Sequence, residues 1–327
     1  LAKFLKVYIV FSSEKKLHDE KAIETSIEYL QSKNLLYRGV LEPPKGKLPD
    51  DWEPREQLLF KATSFGDDVD RALQKSDGEY TYFASDIAYH KYKYDRGFNK
   101  MIIGLGADHG GYVKRLKAVV KAMSDNEADI EVILCQLVKL MENGEPIKMS
   151  KRAGNFLTVK DVVESVGKDV IRFIMLTRKS DMGLDFDLKQ VLEVTKENPV
   201  FYVQYAHARI CSVFRQAEEK NIKISSNSDL SLIKHGAEIE LIKKISEFPR
   251  IIEASAIHSE PHRITFYLND LVSSFHSLWN LGKDENLKFI DEGNIDLTSA
   301  RMRLILACKN TIASALGVLG VEPVERM

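Results

Sequence analysis

The sequence predicts an α/β parallel-sheet portion followed by an all-α helical bundle. Three observations carry this. Apolar segments at 80–84, 100–105 and 130–141 alternate with helical spacing over 86–94 and 109–123, the order that builds a parallel sheet covered on both faces. After residue 155 the strand pattern stops. Long helical periodicity then takes over from Asn198-Pro199, a favoured N-cap followed by proline at the first helical position. A chain of 327 residues has room for two domains or three small ones, each with its own core.

Taken in order, Leu5, Val7, Ile9 and Phe11 alternate around Lys6 and Tyr8 as a short strand. Ala22, Ile23, Ser26, Ile27 and Leu30 repeat at helical spacing within 19–32. The stretch from Glu42-Pro43-Pro44 to Pro54 reads as a surface loop. Gln57–Thr63 is expected as a strand, Asp67–Lys75 as a short helix and Ser76-Asp77-Gly78 as a turn. Tyr80–Ala84 then reads as a strand and Asp86–Tyr94 as a helix, followed by the strand Lys100–Leu105. A helix from about His109 to Met123 precedes the run Ile130–Met141, with Val132, Leu134, Val138 and Leu140 on one face. Thr158 and Asp161 suggest a capping box, and Gly167 a helix stop. Ile239–Ala256, Arg263–Leu281 and Thr298–Leu319 are further helical stretches, with a polar linker near Asn221–Asp229.

Composition is that of a globular protein, 44% hydrophobic and 29% charged, which excludes collagen-like, disordered and disulfide-scaffold classes. Lys+Arg at 47 against Asp+Glu at 48 neither demands nor excludes a nucleic-acid partner, because a local basic face can hide in a neutral total. No apolar run approaches the roughly 18 residues that span a bilayer, so no membrane association is expected. Cys135, Cys211 and Cys308 lack metal-ligand spacing. They read as reduced, mostly buried thiols of a cytoplasmic protein without a bound metal. Leu1 in place of an initiator Met, with no signal-peptide pattern, suggests a piece of a longer chain.

The strongest chemical signal is Lys148-Met149-Ser150-Lys151-Arg152, after the last sheet strand and behind the turn Gly144-Glu145-Pro146. Two lysines three apart in a loop can close over a triphosphate and neutralise charge as pyrophosphate leaves. Lys-Met-Ser-Lys arises by chance in roughly one chain in 500 of this length; the plainer alternative is a solvated basic loop. Gly104-Leu105-Gly106-Ala107-Asp108-His109-Gly110-Gly111 follows a strand and leads into a helix. That placement lets a nucleotide approach the backbone, with Asp108 as ribose acceptor and His109 as donor to a carboxylate or phosphate. A glycine-rich turn capped by Asp108 would look the same.

Tyr82 and Asp86 flank a strand-to-helix junction. A carboxylate beside a phenol suits a planar guanidinium, whose donors can engage both oxygens, although Asp86 as a helix cap is the simpler reading. Residues 87–123 hold eight basic and two acidic side chains, and Lys114, Lys117 and Lys121 share one helix face opposite Val113, Leu116 and Val120. That face suits a polyanion or plain solvent. In the helix after Pro199, Val203, His207, Ile210 and Phe214 form an apolar stripe, which makes His207 a packed core histidine. Tyr202, Tyr205, Arg209 and Ser212 adjoin it. They suit stacking and phosphate contact with single-stranded RNA, or packing.

Together these segments resemble class I aminoacyl-tRNA synthetases. In particular, Thr81–Phe98, Gly106–Ala118, Ile147–Phe156, Leu184–Leu188, Asn198–Phe214 and Leu316–Met327 resemble arginyl-tRNA synthetases along nearly the whole chain. The resemblance implies a Rossmann-like class I catalytic fold, present in part, and an α-helical anticodon-binding bundle. It implies ATP-dependent formation of arginyl-adenylate and transfer to tRNA(Arg), with ATP as its Mg2+ complex, L-arginine as substrate and a monomeric enzyme. By position, Lys148 and Lys151 match the catalytic loop and Gly106, Asp108, His109, Met149 and Ser150 the ATP site. Tyr82, Asp86 and His109 match the arginine site, and Tyr202, Tyr205, Arg209 and Met327 the tRNA contacts. Residues 1–155 would be the carboxyl-terminal part of the catalytic domain with an inserted loop or hairpin at about 40–65, 156–195 connecting helices, and 196–327 the anticodon-binding domain.

Two departures stand out. Arg152 replaces the Ser of the class consensus, and no His-x-Gly-His tetrapeptide, the first class I signature, occurs in the 327 residues. The chain alone is therefore expected not to complete the reaction. The rivals are a non-catalytic tRNA-binding fragment and a class I synthetase of other specificity, such as a cysteinyl-like enzyme. The latter should show zinc-ligand Cys/His clusters, which the sequence lacks.

Overall fold

The computed structural model describes residues 11–42, 54–75, 77–147, 157–195, 197–225, 227–284 and 287–327. They divide into two compact units, residues 11–137 and 138–327. The expected strand at 4–11 and the proline-rich loop fall largely outside the described residues.

The first unit opens with α1 (Glu14–Asp19), which the periodicity did not announce, and α2 (Ala22–Ser32). On α2, Ile23, Ser26, Ile27 and Leu30 are buried as one stripe. β1 (Leu36–Val40) and β2 (Glu56–Phe60) pair antiparallel, and β3 (Arg71–Ala72) adds to β2. β2 stops at Phe60, short of Thr63, because a 3₁₀ turn takes over at Ala62–Phe65. The helix expected at Asp67–Lys75 is absent. There Asp67 holds Arg71 through two 2.7 Å bonds, and Asp70 accepts from both the backbone N–H and the hydroxyl of Thr63. Such local bonds compete with helix formation.

The strand expected at Tyr80–Ala84 is also absent. α3 spans Tyr82–Asp95, entered from an extended Thr81, and buries Phe83, Ala84, Ile87, Ala88 and His90. β4 (Lys100–Gly106) pairs in parallel with β5 (Asp129–Cys135), in register from Lys100↔Asp129 to Gly106↔Cys135. α4 (Val113–Met123) crosses between them, with Leu116 and Val120 packed on Met101 and Ile130. The apolar run 130–141 is two strands rather than one. β5 ends at Cys135, and β6 (Val138–Glu142) joins a different sheet in the second unit. Neither glycine nor proline marks the break at Gln136-Leu137, so periodicity could not reveal it. Cys135 is exposed, against expectation, while Cys211 and Cys308 are buried.

In the second unit β6 pairs antiparallel with β7 (Glu145–Pro146) and in parallel with β8 (Leu184–Asp187). Strands therefore do not end at residue 155. The four residues of β8 are too few to show a period. α5 (Val159–Val166) carries the capping box of Thr158 and Asp161, and α6 (Lys168–Met175) follows directly after Gly167 at φ +84°.

α7 (Pro199–Glu219) begins at Asn198, whose Oδ1 accepts from the N–H of Val200. The stretch expected as one helix over 239–256 is two, α8 (Gly236–Ser246) and α9 (Phe248–His258). Pro249 supplies no N–H at that junction. α10 (His262–Asp284) and α11 (Ile295–Leu319) complete the bundle. Phe173, Val203, Ile210, Leu241, Leu268, Phe275, Ile305 and Ile312 belong to its core. Among the described residues α11 is long and apolar enough to cross a bilayer by length and composition, which the sequence reading denied. Its Ala300, Met302, Ile305, Cys308, Ile312 and Leu316 are instead buried in the bundle.

Candidate functional site

Residues 82, 85, 86 and 89 lie on one face of α3, opposite its buried face, because helical neighbours are three and four apart. Tyr82, Ser85, Asp86 and Tyr89, with Glu14 and Leu17 of α1, line a cavity of about 390 Å³. Tyr82 is 85% exposed at its mouth. Asp86 is half-buried, at the fifth position of α3 rather than at a cap. Its Oδ2 accepts the hydroxyl of Tyr112 at 2.8 Å. Burial pushes the Asp86 carboxyl above the usual carboxylate range, against the opposing pull of the Tyr112 bond, Arg115 and Lys93. Burial likewise lowers Lys93.

His90, one turn on, donates from Nδ1 to the Asp86 carbonyl at 2.8 Å, and burial pushes its ring down to about 4. Arg115 is turned inward, its guanidinium 4.3 Å from the Tyr112 ring centroid and 5.6 Å from that of Phe83. Sequence reading missed Tyr112, His90 and Arg115 as companions of Asp86. For Tyr112 and Arg115 only the fold brings α3 beside the turn 26 residues later, whereas His90 lies one helical turn from Asp86 on the same helix.

That turn is a 3₁₀ segment, Ala107–Tyr112, at the carboxyl end of β4. Asp108 and His109 are exposed, with His109 Nε2 3.6 Å from Asp108 Oδ2 and its ring edge-on to Tyr112. A Cβ at Gly106 would sit 2.5 Å from Asp108 Oδ1, so glycine there lets the carboxylate fold back over the strand end.

The basic residues of 87–123 are partly committed. Lys114 pairs with Asp68 at 2.7 Å, Lys91 with Asp95 at 2.8 Å, and Arg96 lies over Tyr92 and Phe98. Lys148, Met149, Ser150, Lys151 and Arg152 lie outside the described residues. What leads to them is described. Gly144, at φ +81°, donates its N–H to Asp187 Oδ2 at 2.7 Å, and Lys189 and Gln190 donate to Oδ1. These backbone bonds hold the Asp187 carboxyl below its usual range and anchor the β6–β7 turn.

In the bundle, Tyr205, Arg209, Ser212, Trp279, Arg326 and Met327 line a groove of about 640 Å³. The Arg209 guanidinium lies 4.3 Å from the Tyr205 ring centroid and 4.7 Å from that of Trp279. It donates to Tyr205 Oη at 2.6 Å and to His276 Nδ1 at 3.2 Å. Its faces are therefore occupied by protein rings, which suits holding Tyr205 more than stacking on a base. Tyr205 is 43% exposed, whereas Tyr202 packs on the core with its ring 4.8 Å from His276. Trp279 and His276 were missed, since α10 offered only a generic helical period. Among the described residues no group of three or more His, Cys, Asp or Glu side chains could hold a metal ion.

The parallel strand pair with its glycine turn lies within a stretch that matches the class I aminoacyl-tRNA synthetases. The family profile "tRNA synthetases class I (R), catalytic domain" matches residues 54–233, and "DALR anticodon binding domain" matches 203–327. The chain belongs to the arginyl-tRNA synthetase family. It is 56% identical to the arginine–tRNA ligase of Ruegeria pomeroyi over 323 residues, 97% of this chain and 56% of that protein. The arginine–tRNA ligase of Wolbachia pipientis wMel is 56% identical over 319 residues, again 97% of this chain and 56% of the relative. The chain thus spans about half the length of the curated relatives it matches. A crystal structure of an arginyl-tRNA synthetase from Campylobacter jejuni superposes with a TM-score of 0.81 at 31% identity, covering 99% of this chain and 66% of that one.

Proposed function

We propose that the chain supplies the arginine-recognising pocket, the later part of the ATP site and the anticodon-arm surface of an arginine–tRNA ligase, a cytoplasmic, monomeric enzyme. The domain limits are residues 1–155, 156–195 and 196–327 as read above. The observation that carries this is Asp86, a half-buried carboxylate facing a cavity with one oxygen held by Tyr112 at 2.8 Å. A carboxylate lining that cavity suits a cationic ligand, and a guanidinium is the planar donor that fits it.

In this reading Asp86 and Tyr82 fix the arginine side chain, with His109 nearby to donate to its carboxylate or to a phosphate. Gly106, Asp108, His109, Met149 and Ser150 face ATP. Lys148 and Lys151 neutralise the pyrophosphate that departs as the adenylate forms. Mg2+ arrives with the triphosphate. Tyr205, Arg209 and Met327, with Tyr202 behind them, meet the tRNA. The chain alone lacks His-x-Gly-His and is not expected to complete the reaction.

The test joins this chain to the amino-terminal segment of the Ruegeria pomeroyi relative and measures arginine-dependent ATP–pyrophosphate exchange and aminoacylation. Activity with arginine in the joined protein and none in the isolated chain is expected. Exchange driven by another amino acid would sink the specificity. Absence of exchange in the joined protein, with RNA binding retained, would favour a non-catalytic tRNA-binding protein.

A further inference from the structure

Residues 320–327, after α11, are held along their length by side chains of α6 and α7. Arg172 Nε donates to the carbonyl of Leu319 at 2.8 Å, and Lys168 pairs with Glu322 at 3.3 Å. From α7, Gln204 Nε2 donates to the Glu322 carbonyl at 3.3 Å, His207 Nδ1 to that of Val324 at 2.8 Å, and Arg215 Nη1 to that of Glu325 at 3.2 Å. The positions 204, 207, 211 and 215 fall on one face of α7, since steps of three and four return to the same side.

Gln204 and His207 are 8% and 2% exposed, and their bonds to the segment are part-buried. A carbonyl can only accept, so His207 carries its proton on Nδ1. Burial pushes the His207 ring below its ordinary range, which favours the neutral form at neutral pH. Cys211 lies between the donors, its Sγ 3.7 Å from His207 Nδ1.

The neighbouring face of α7 carries Tyr205, Arg209 and Ser212 into the groove that Arg326 and Met327 also line. One helix thus fixes the segment on one side and shares a groove with its end on the other. His207 is buried as the sequence reading expects of a core histidine, and its buried N–H finds its partner in the Val324 carbonyl rather than within its own helix.

We infer that Gln204, His207 and Arg215 clamp residues 322–327 in register, so that Arg326 and Met327 complete a binding surface for a single-stranded RNA loop beside Tyr205. His207 is thereby a positioning residue for RNA binding. This rests on reading the groove as the tRNA surface, and it assigns the groove's second wall to a donor row of which Arg215 also lines the groove, while Gln204 and His207 do not.

The test uses the 327-residue chain and an RNA hairpin carrying the anticodon loop of an arginine tRNA, at fixed salt. Carboxypeptidase release of Met327 and Arg326 reads the clamp, and hairpin Kd reads the surface. His207→Leu should speed release at least tenfold and raise Kd about five- to tenfold. His207→Asn, which keeps an N–H donor, should restore both to within about twofold. Deleting residues 325–327 should raise Kd as far as His207→Leu does, with no further loss when the two are combined.

If His207→Leu fails to fold, Gln204→Leu, at a position outside the groove, removes a donor and should give the same two effects. Unchanged release in the folded variants, or fast release with wild-type Kd, would overturn the proposal. A wild-type chain that releases its end slowly yet binds no hairpin overturns the RNA reading of the groove, and the release assay distinguishes this from failure of the clamp.

Discussion

Tyr112 donates its hydroxyl to Oδ2 of Asp86 across 2.8 Å and so joins the glycine turn after β4 to the middle of α3. Two motifs that lie apart in sequence share one hydrogen bond. Any displacement of the turn carrying Asp108 and His109 is felt at the carboxylate proposed to hold arginine. Tyr112→Phe removes that donor while keeping the ring over Arg115. In the joined protein, KM for arginine should rise about tenfold, the low end for a hydrogen bond to a charged group. The acid limb of arginine binding should move to higher pH, because the carboxylate loses a bond that favours its ionised form. An unchanged KM and pH profile would make Tyr112 a packing residue only.

Asp86 should cost stability where it is needed for binding. Burial raises its folded pKa above the unfolded value, so its contribution is most favourable below the unfolded pKa and is lost as pH rises through the folded one. Asp86→Asn should therefore unfold at a higher temperature than wild type at pH 7–8. The gain should shrink on acidification, while arginine-dependent exchange falls steeply. A variant less stable than wild type at neutral pH would contradict this.

His90 acts in the opposite sense. Its ring stands at about 4 in the folded chain against an ordinary 6.5. Its contribution is full above 6.5 and lost as pH falls toward 4, on the order of 3 kcal/mol in all. Asn presents an amide N–H near the place of Nδ1 and does not titrate. Denaturant unfolding of His90→Asn, followed from pH 7 to 4, should lose the part of the acid sensitivity due to this ring. Parallel pH profiles of the two proteins would refute it.

At the groove, Tyr205→Ala should weaken hairpin binding by about 1–3 kcal/mol, the usual worth of a base stacked on an aromatic ring. Arg209→Lys should also weaken it, although the charge is kept. An ammonium cannot lie between two rings and donate to both Tyr205 and His276. The slope of log Kd against log salt should stay as in wild type, since the cation remains. Silent Tyr205→Ala would return that ring to packing.

Arg301 and Glu238 form a buried pair, Nε to Oε1 at 2.6 Å, and Arg301 also donates to the Lys288 carbonyl at 2.8 Å. The side chains are 8% and 2% exposed. Arg301→Met should cost about 3–5 kcal/mol by stranding the Glu238 charge. The double change Arg301→Met with Glu238→Leu should recover much of it. Equal losses in the single and double variants, measured by chemical denaturation, would rule out a stranded charge as the cause.

Long periodic segments were legible in the sequence. The caps at Thr158 and Asn198, the strand at 100–105 and the helix after Pro199 follow from spacing and local chemistry. What escaped was decided by partners far along the chain. Leu184–Asp187 becomes a strand because β6 lies beside it. Arg71–Ala72 extends because β2 and the carboxylates of Asp67 and Asp70 outbid a helix. At the site, the residue types Tyr82 and Asp86 were readable. Tyr112, which orients Asp86, belonged in the sequence to a different motif.

Phe173 of α6 is fully buried in the core formed by α7 to α11. Its neighbour Arg172 caps the last carbonyl of α11 and fills the space where a Cβ at Gly320 would come within 2.6 Å of Nε. For anyone excising or grafting the helical part, the seam therefore cannot run through the segment just before Asn198. A piece starting at residue 196 would leave a hole where Phe173 sat and the Leu319 carbonyl without its Arg172 donor. A transplantable module has to carry α6 with it, and residue 320 must remain glycine for the splice to close.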